Sequence, residues 1–217
     1  MAIALLELPP SRASRVAYLT AALNLAAALL MLSSLKPGLP VSGSLPADRI
    51  AFIERNTGLW WAGWLVWHAA AISLVLFFLV LAGRFRGRAP VLCAAAVVVS
   101  VVGLAADLSA EAIYMGVVPE LRGNEFHAAE IVGGILTGYL GNGLYTVAGI
   151  LLTWSGAREL PRSLLGLALP TWGAGLCLSA SSLLHSADGQ LWSTAVLMPL
   201  FVLWAALVGW WLSRRAS

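Results

Sequence analysis

The sequence predicts an all-α, polytopic membrane protein: a six-transmembrane-helix bundle with both termini in the cytoplasm. Three observations predict it. Of the 217 residues, 60% are hydrophobic and only 11% are charged, whereas a soluble domain carries about 25% charged residues. The mean hydropathy is +0.86. The few charges fall in short clusters between long apolar stretches, as expected of a chain whose solvent is hydrocarbon. A single membrane domain spans residues 1–217.

The first span, residues 16–35, follows Arg12 and Arg15 and so mimics a secretory leader. It is longer than the roughly 7–15 residues of a leader's apolar region, and no small-x-small cleavage site follows it closely, so a retained span is expected. The external loop, 36–57, opens on an irregular Pro/Gly/Ser-rich stretch. Its second part, 47–56, mixes Ile50, Phe52 and Ile53 with Asp48, Arg49, Glu54 and Arg55, which predicts a short helix lying in the outer interface. The second span, 58–83, brings four tryptophans early. Trp60 and Trp61 suit the interfacial belt, and the deeper Trp64 and Trp67 are expected to pack on a neighbour or line a cavity.

The remaining spans are 90–118, 127–155, 163–185 and 191–213. Each has at least the roughly 20 residues that a helix needs to cross the core; barrel strands would be half as long and would alternate. The fourth span is rich in glycine, and Gly134 and Gly138 have the spacing that lets helices approach closely, so it is expected at the centre. Pro170 and Pro199 are expected to kink the fifth and sixth spans.

Orientation follows from the basic residues. Arg12, Arg15, Arg84, Arg86, Arg88, Arg158, Arg162, Arg214 and Arg215 all fall on one side. The other side has Lys36, Arg49, Arg55 and Arg122, diluted by acids, so the positive-inside rule places both termini in the cytoplasm. The pI near 9.2 therefore reflects topology and calls for no nucleic-acid partner. Cys93 and Cys177 both lie inside apolar spans and form no disulfide or redox motif.

Polar residues inside spans are where function is sought, because a charge at the bilayer centre costs about 2.5–3.5 kcal/mol on insertion scales. The deep set is Asn24, His68, Asn142 and Tyr145. Asparagine and tyrosine at such depth bond across helices or meet a ligand. His68 can titrate or ligate, although a bis-histidine haem site would need a second histidine at matching depth, and none is there.

A second set gathers toward the outer face. Asp107 and Glu111, four apart, share one face of the third span. His127 and Glu130 open the fourth span behind Glu125, while His185 and Asp188 close the fifth. Residues 112–119 stay apolar beyond Glu111, so the third helix continues past its acids, and these are expected to face an aqueous cavity.

Two site readings follow. One is a ligand or proton site made of Asp107, Glu111, His68, Asn142 and Tyr145. The other is a metal site made of His127, Glu130, His185 and Asp107, with zinc, iron or manganese as the candidate ion. Nucleophile-elbow, H-E-x-x-H, Walker and dinucleotide fingerprints are absent. The leading function is binding or transport of a small molecule or ion through an outward-facing polar cavity. The alternatives are an intramembrane metal-dependent enzyme and a non-catalytic subunit of a larger membrane complex. The expected partners are the lipid bilayer, with other membrane subunits or a second copy of the chain, and the expected location is a bacterial cytoplasmic membrane.

Overall fold

The computed structural model describes residues 8–215, and all of their regular structure is helical. The first spanning helix, α1 (Pro10–Leu30), runs on through a wide π-helical turn at Met31–Leu35. It starts at residue 10 and not at the expected 16, because Pro10 suits a first helical position, where no intrahelical acceptor awaits an N–H. A short helix, α2 (Pro46–Arg55), occupies the long loop and is followed by α3 (Thr57–Phe85) and α4 (Pro90–Gly116). The fourth span comprises α5 (Gly123–Gly134) and α6 (Asn142–Ser155), joined through π-helical turns at Ile135–Gly141. The last two spans are α7 (Arg162–Leu183) and α8 (Ala187–Ser213); Ser186 caps α8, its hydroxyl accepting from the Gly189 amide at 3.2 Å. Six of these helical segments are long and apolar enough to cross a membrane.

The spans form a closed ring in sequence order. Each packs against its neighbour along the chain, α8 returns to α1, and α3 also touches α6 across the middle. Short connections make the neighbours antiparallel. The end bearing α2 is called outer below, following the arginine distribution.

A ring of six helices has a centre to fill. Large aromatic side chains from α3, α7 and α8 fill its inner half: Phe77 and Phe78, Trp172, Phe201 and Trp204. The Trp172 and Trp204 rings meet edge-on at 5.1 Å, and Phe77 meets Trp204 at 5.7 Å. Both indoles are satisfied: Trp204 donates to the Leu164 carbonyl at 3.2 Å and Trp172 to the Thr153 hydroxyl at 3.0 Å. Glycine makes room for this plug. A β-carbon at Gly149 would collide with the Trp172 ring, and one at Gly175 with Thr146.

Three expectations are corrected. Gly134 and Gly138 do not act as a pair: Gly138 lies against Ser182 of α7, but Gly134 has open space where a β-carbon would be. Trp60 is no belt residue. It is fully buried and donates to the Tyr114 carbonyl at 2.7 Å, while its neighbour Trp61 is exposed. The loop helix α2 does not merely rest at an interface, since it turns Arg49 and Ile53 into the protein. Pro170 and Pro199 sit within α7 and α8, which continue through them.

The glycine contacts generate a first prediction. Gly149→Ala will lower stability by about 1–3 kcal/mol through overpacking against Trp172, whereas Gly134→Ala will not. Thermal unfolding of the two variants in mild detergent checks this.

Candidate functional site

The aromatic plug stops at mid-height. Beyond it, toward the outer end, lies a cavity of about 590 Å³, within the roughly 300–1,000 Å³ typical of small-molecule sites. Phe78, Trp172 and Phe201 form its floor. Its walls are mainly apolar, with a few polar groups converging on the interior: Asp107, Thr137, Asn142 and Tyr145 low down, and Arg49, Glu130, His127 and His185 nearer the outer end.

Asp107 of α4 is only 4% exposed. Thr137 donates to one of its oxygens at 2.5 Å and Tyr145 to the other at 3.4 Å. Both donors are neutral. Among the described residues, no arginine, lysine or histidine forms an ion pair with Asp107. Local backbone explains how the acid is reached. Gly141 brings the fourth span against the Asp107 side chain, where a β-carbon would stand 3.2 Å from that of Asp107. Thr137 comes from the adjoining π-helical turns, a departure from regular helix often found at functional sites.

Asn142 is held on the same wall. Its amide donates to the Gly175 carbonyl at 2.7 Å and to the Ser179 hydroxyl at 2.9 Å, tying α6 to α7. Across the cavity, Asn24 of α1 donates to the Thr20 carbonyl at 2.9 Å, and Thr20 in turn donates to the Ser73 carbonyl of α3 at 2.9 Å. These bonds satisfy polar groups that hydrocarbon would leave unpaired.

Near the outer end, Arg49 and Glu130 form a buried bidentate pair. The Arg49 Nε donates to Glu130 Oε1 at 2.8 Å, and Nη2 donates to Oε2 at 2.5 Å. The remaining Nη1 donates to the Ser44 carbonyl, and the guanidinium lies 5.7 Å from the centre of the Phe126 ring. This pair pins α2 over the bundle. Beside it, Tyr114 stacks on Trp64 with centroids 4.5 Å apart, and its hydroxyl donates to the Glu130 carbonyl at 3.4 Å.

The ligand-or-proton set chosen from sequence divides in two. Asp107, Asn142 and Tyr145 line the cavity together. Glu111 does not join them: it is fully buried and meets His68 Nδ1 between α3 and α4, and neither residue lines the cavity. The deep histidine and the outer acid, which the sequence places in separate groups, are thus partners.

The proposed metal set is corrected. Among the described residues, no three or more histidine, cysteine or acidic side chains are grouped so as to hold a metal ion. The reason is visible at each position. Arg49 takes both Glu130 oxygens, and Thr137 and Tyr145 take those of Asp107. His127 is exposed, with Nδ1 3.9 Å from Glu130, while His185 sits in the turn after α7 at φ 54°.

Sequence reasoning missed Arg49 and Thr137 as site residues. Arg49 had one local sign, its position four residues before Ile53 on a common face of α2. Thr137 gave none, because its role depends on the wide turns of the fourth span. None of the protein-family models, curated proteins or solved structures compared with the chain matches it.

Breaking the outer pair strands a buried charge. Arg49→Ala will therefore cost about 3–5 kcal/mol, and the double change Arg49→Met with Glu130→Leu will recover most of that loss. Unfolding midpoints in detergent, with limited proteolysis of the outer loop, check both outcomes.

Proposed function

We propose that this protein binds, and carries across or within the membrane, a small molecule bearing a positive charge, with Asp107 as its counter-charge. The observation that supports this is a buried carboxyl that faces a ligand-sized cavity and has only neutral hydrogen-bond partners. An ionised carboxylate held there without a cation is costly. A bound cation or a proton relieves that cost. Tyr145 and Thr137 orient the carboxyl, Asn142 offers a further polar contact, and the floor supplies aromatic rings, which attract quaternary ammonium groups. With the termini in the cytoplasm, the cavity faces outward and the plug separates it from the inner side. Transport would require the plug of Phe78, Trp172, Phe201 and Trp204 to part.

A proton-linked version of the reading draws on the second acid. Glu111 is buried with His68 as its partner, so the pair can be neutral or doubly charged by shifting one proton between them. A membrane-embedded pair of this kind is a natural proton store. It lies one helical turn from Asp107 on α4, close enough for occupancy at one acid to bias the other.

Tryptophan fluorescence supplies the test, because Trp64, Trp67 and Trp172 line the cavity. Titration of the detergent-purified protein with tetramethylammonium, choline and benzyltrimethylammonium will give a saturable change with at least one of them. Asp107→Asn will weaken that binding by at least about tenfold, equivalent to roughly 1.4 kcal/mol. No saturable response, or the same response in wild type and variant, overturns the reading.

A further inference from the structure

We propose that the cavity is loaded sideways from the outer leaflet, and that its ligand is a cationic single-chain amphiphile with its head at Asp107 and its tail between α1 and α8. This deepens, and rests on, the ligand-binding function proposed above.

The wall between α1 and α8 differs along its height. Near the inner ends the two helices touch closely: a β-carbon on Gly209 would stand 3.1 Å from the Tyr18 ring and 3.2 Å from the Ala17 side chain. Farther out, the cavity is lined on this side by Leu25 and Leu29 of α1, by Leu32 of the π-helical turn that follows it, and by Ala195 and Pro199 of α8. All five are also exposed, Leu29 to 58%. Residues on both helices that line the cavity and remain this exposed place the opening there. Leu25 and Ala195 lie within spanning segments, so what they meet outside is acyl chain and not water.

The chemistry of the two routes into the cavity favours the side. The five residues at the lateral opening are all apolar, and a charged head passing them would travel with its tail already in lipid. The outer mouth instead carries Lys36 with His127 and His185, beneath the strapped helix α2. A cation arriving from water meets Lys36 first. Inside, the two cavity carboxyls are unequal, because Glu130 is already paired with Arg49 and Asp107 has no basic partner among the described residues. The cation therefore belongs at Asp107, beside Tyr145.

Tail and head contribute differently. Lipid is as apolar as the leucine-lined opening, so moving a tail from bilayer to protein gains little. Discrimination must come from the head. A neutral amphiphile of equal length will thus enter poorly, and tail length alone will not set affinity for the membrane-dissolved ligand.

The test uses the full chain in phosphatidylcholine nanodiscs and a dodecyltrimethylammonium carrying a photoreactive diazirine near the tail end. Labelled peptides are mapped by mass spectrometry. Labelling will concentrate on residues 25–32 and 191–202, fall about tenfold with excess dodecyltrimethylammonium, and be unmoved by dodecanol. Asp107→Asn will abolish it. Ala195→Trp, outside the polar cluster, will close the opening and lower labelling. Labelling spread over all lipid-facing helices and equal in wild type and Asp107→Asn overturns the proposal, as does competition by dodecanol. If tetramethylammonium still binds in an Asp107-dependent way in that case, the ligand-binding function stands without the amphiphile. If that binding is absent too, both fall.

Discussion

Six helices packed in sequence order around a ring must fill the space they enclose, and this constraint governs the rest of the structure. The filling is uneven. Phe77, Phe78, Trp172, Phe201 and Trp204 supply enough volume for the inner half, and glycines at 149 and 175 let α6 and α7 close on their side chains. In the outer half the buried aromatics Trp60, Trp64, Tyr114 and Phe126 gather at the ends of α3, α4 and α5, to one side of the cavity. The cavity is therefore the unfilled half of a ring whose other half is filled by aromatic side chains.

Placing that space inside the bundle gives polar groups somewhere to point. In hydrocarbon each must find a protein partner or a cavity. Asn142 and Thr20 find carbonyls or hydroxyls on neighbouring helices and thereby join them, while Asn24 bonds to a carbonyl of its own helix. Arg49 and Glu130 find each other and fasten the external loop to the fourth span. Asp107 differs because its partners are hydroxyls only. Its unmatched acidity is the basis of the proposed preference for a cation, and the exposed apolar residues of α1 and α8 are the basis of the proposed access.

The long external loop does more than connect. Arg49 and Ile53 turn inward from one face of α2, and Trp60 begins α3 by donating to the Tyr114 carbonyl at the far end of α4. Tyr114 in turn stacks on Trp64 and bonds to the Glu130 backbone. The outer ends of α3, α4 and α5 are thereby locked into one unit.

The sequence by itself determined the helical class and the six spanning segments, because hydrophobic length is a local property and each span carries its own signal. It also singled out Asp107, Asn142 and Tyr145, since a polar residue amid apolar neighbours is conspicuous in one dimension. Tertiary structure alone decided which of these residues meet. The pairing of His68 with Glu111 and of Arg49 with Glu130 joins positions 43 and 81 residues apart, and no local spacing encodes it. The dispersal of the expected metal set follows for the same reason: residues gathered at one end of a bundle share a depth, but the rotation of each helix decides whether they share a point. The wide turns at Ile135–Gly141, which pack against α4 and α7, set that rotation for Thr137.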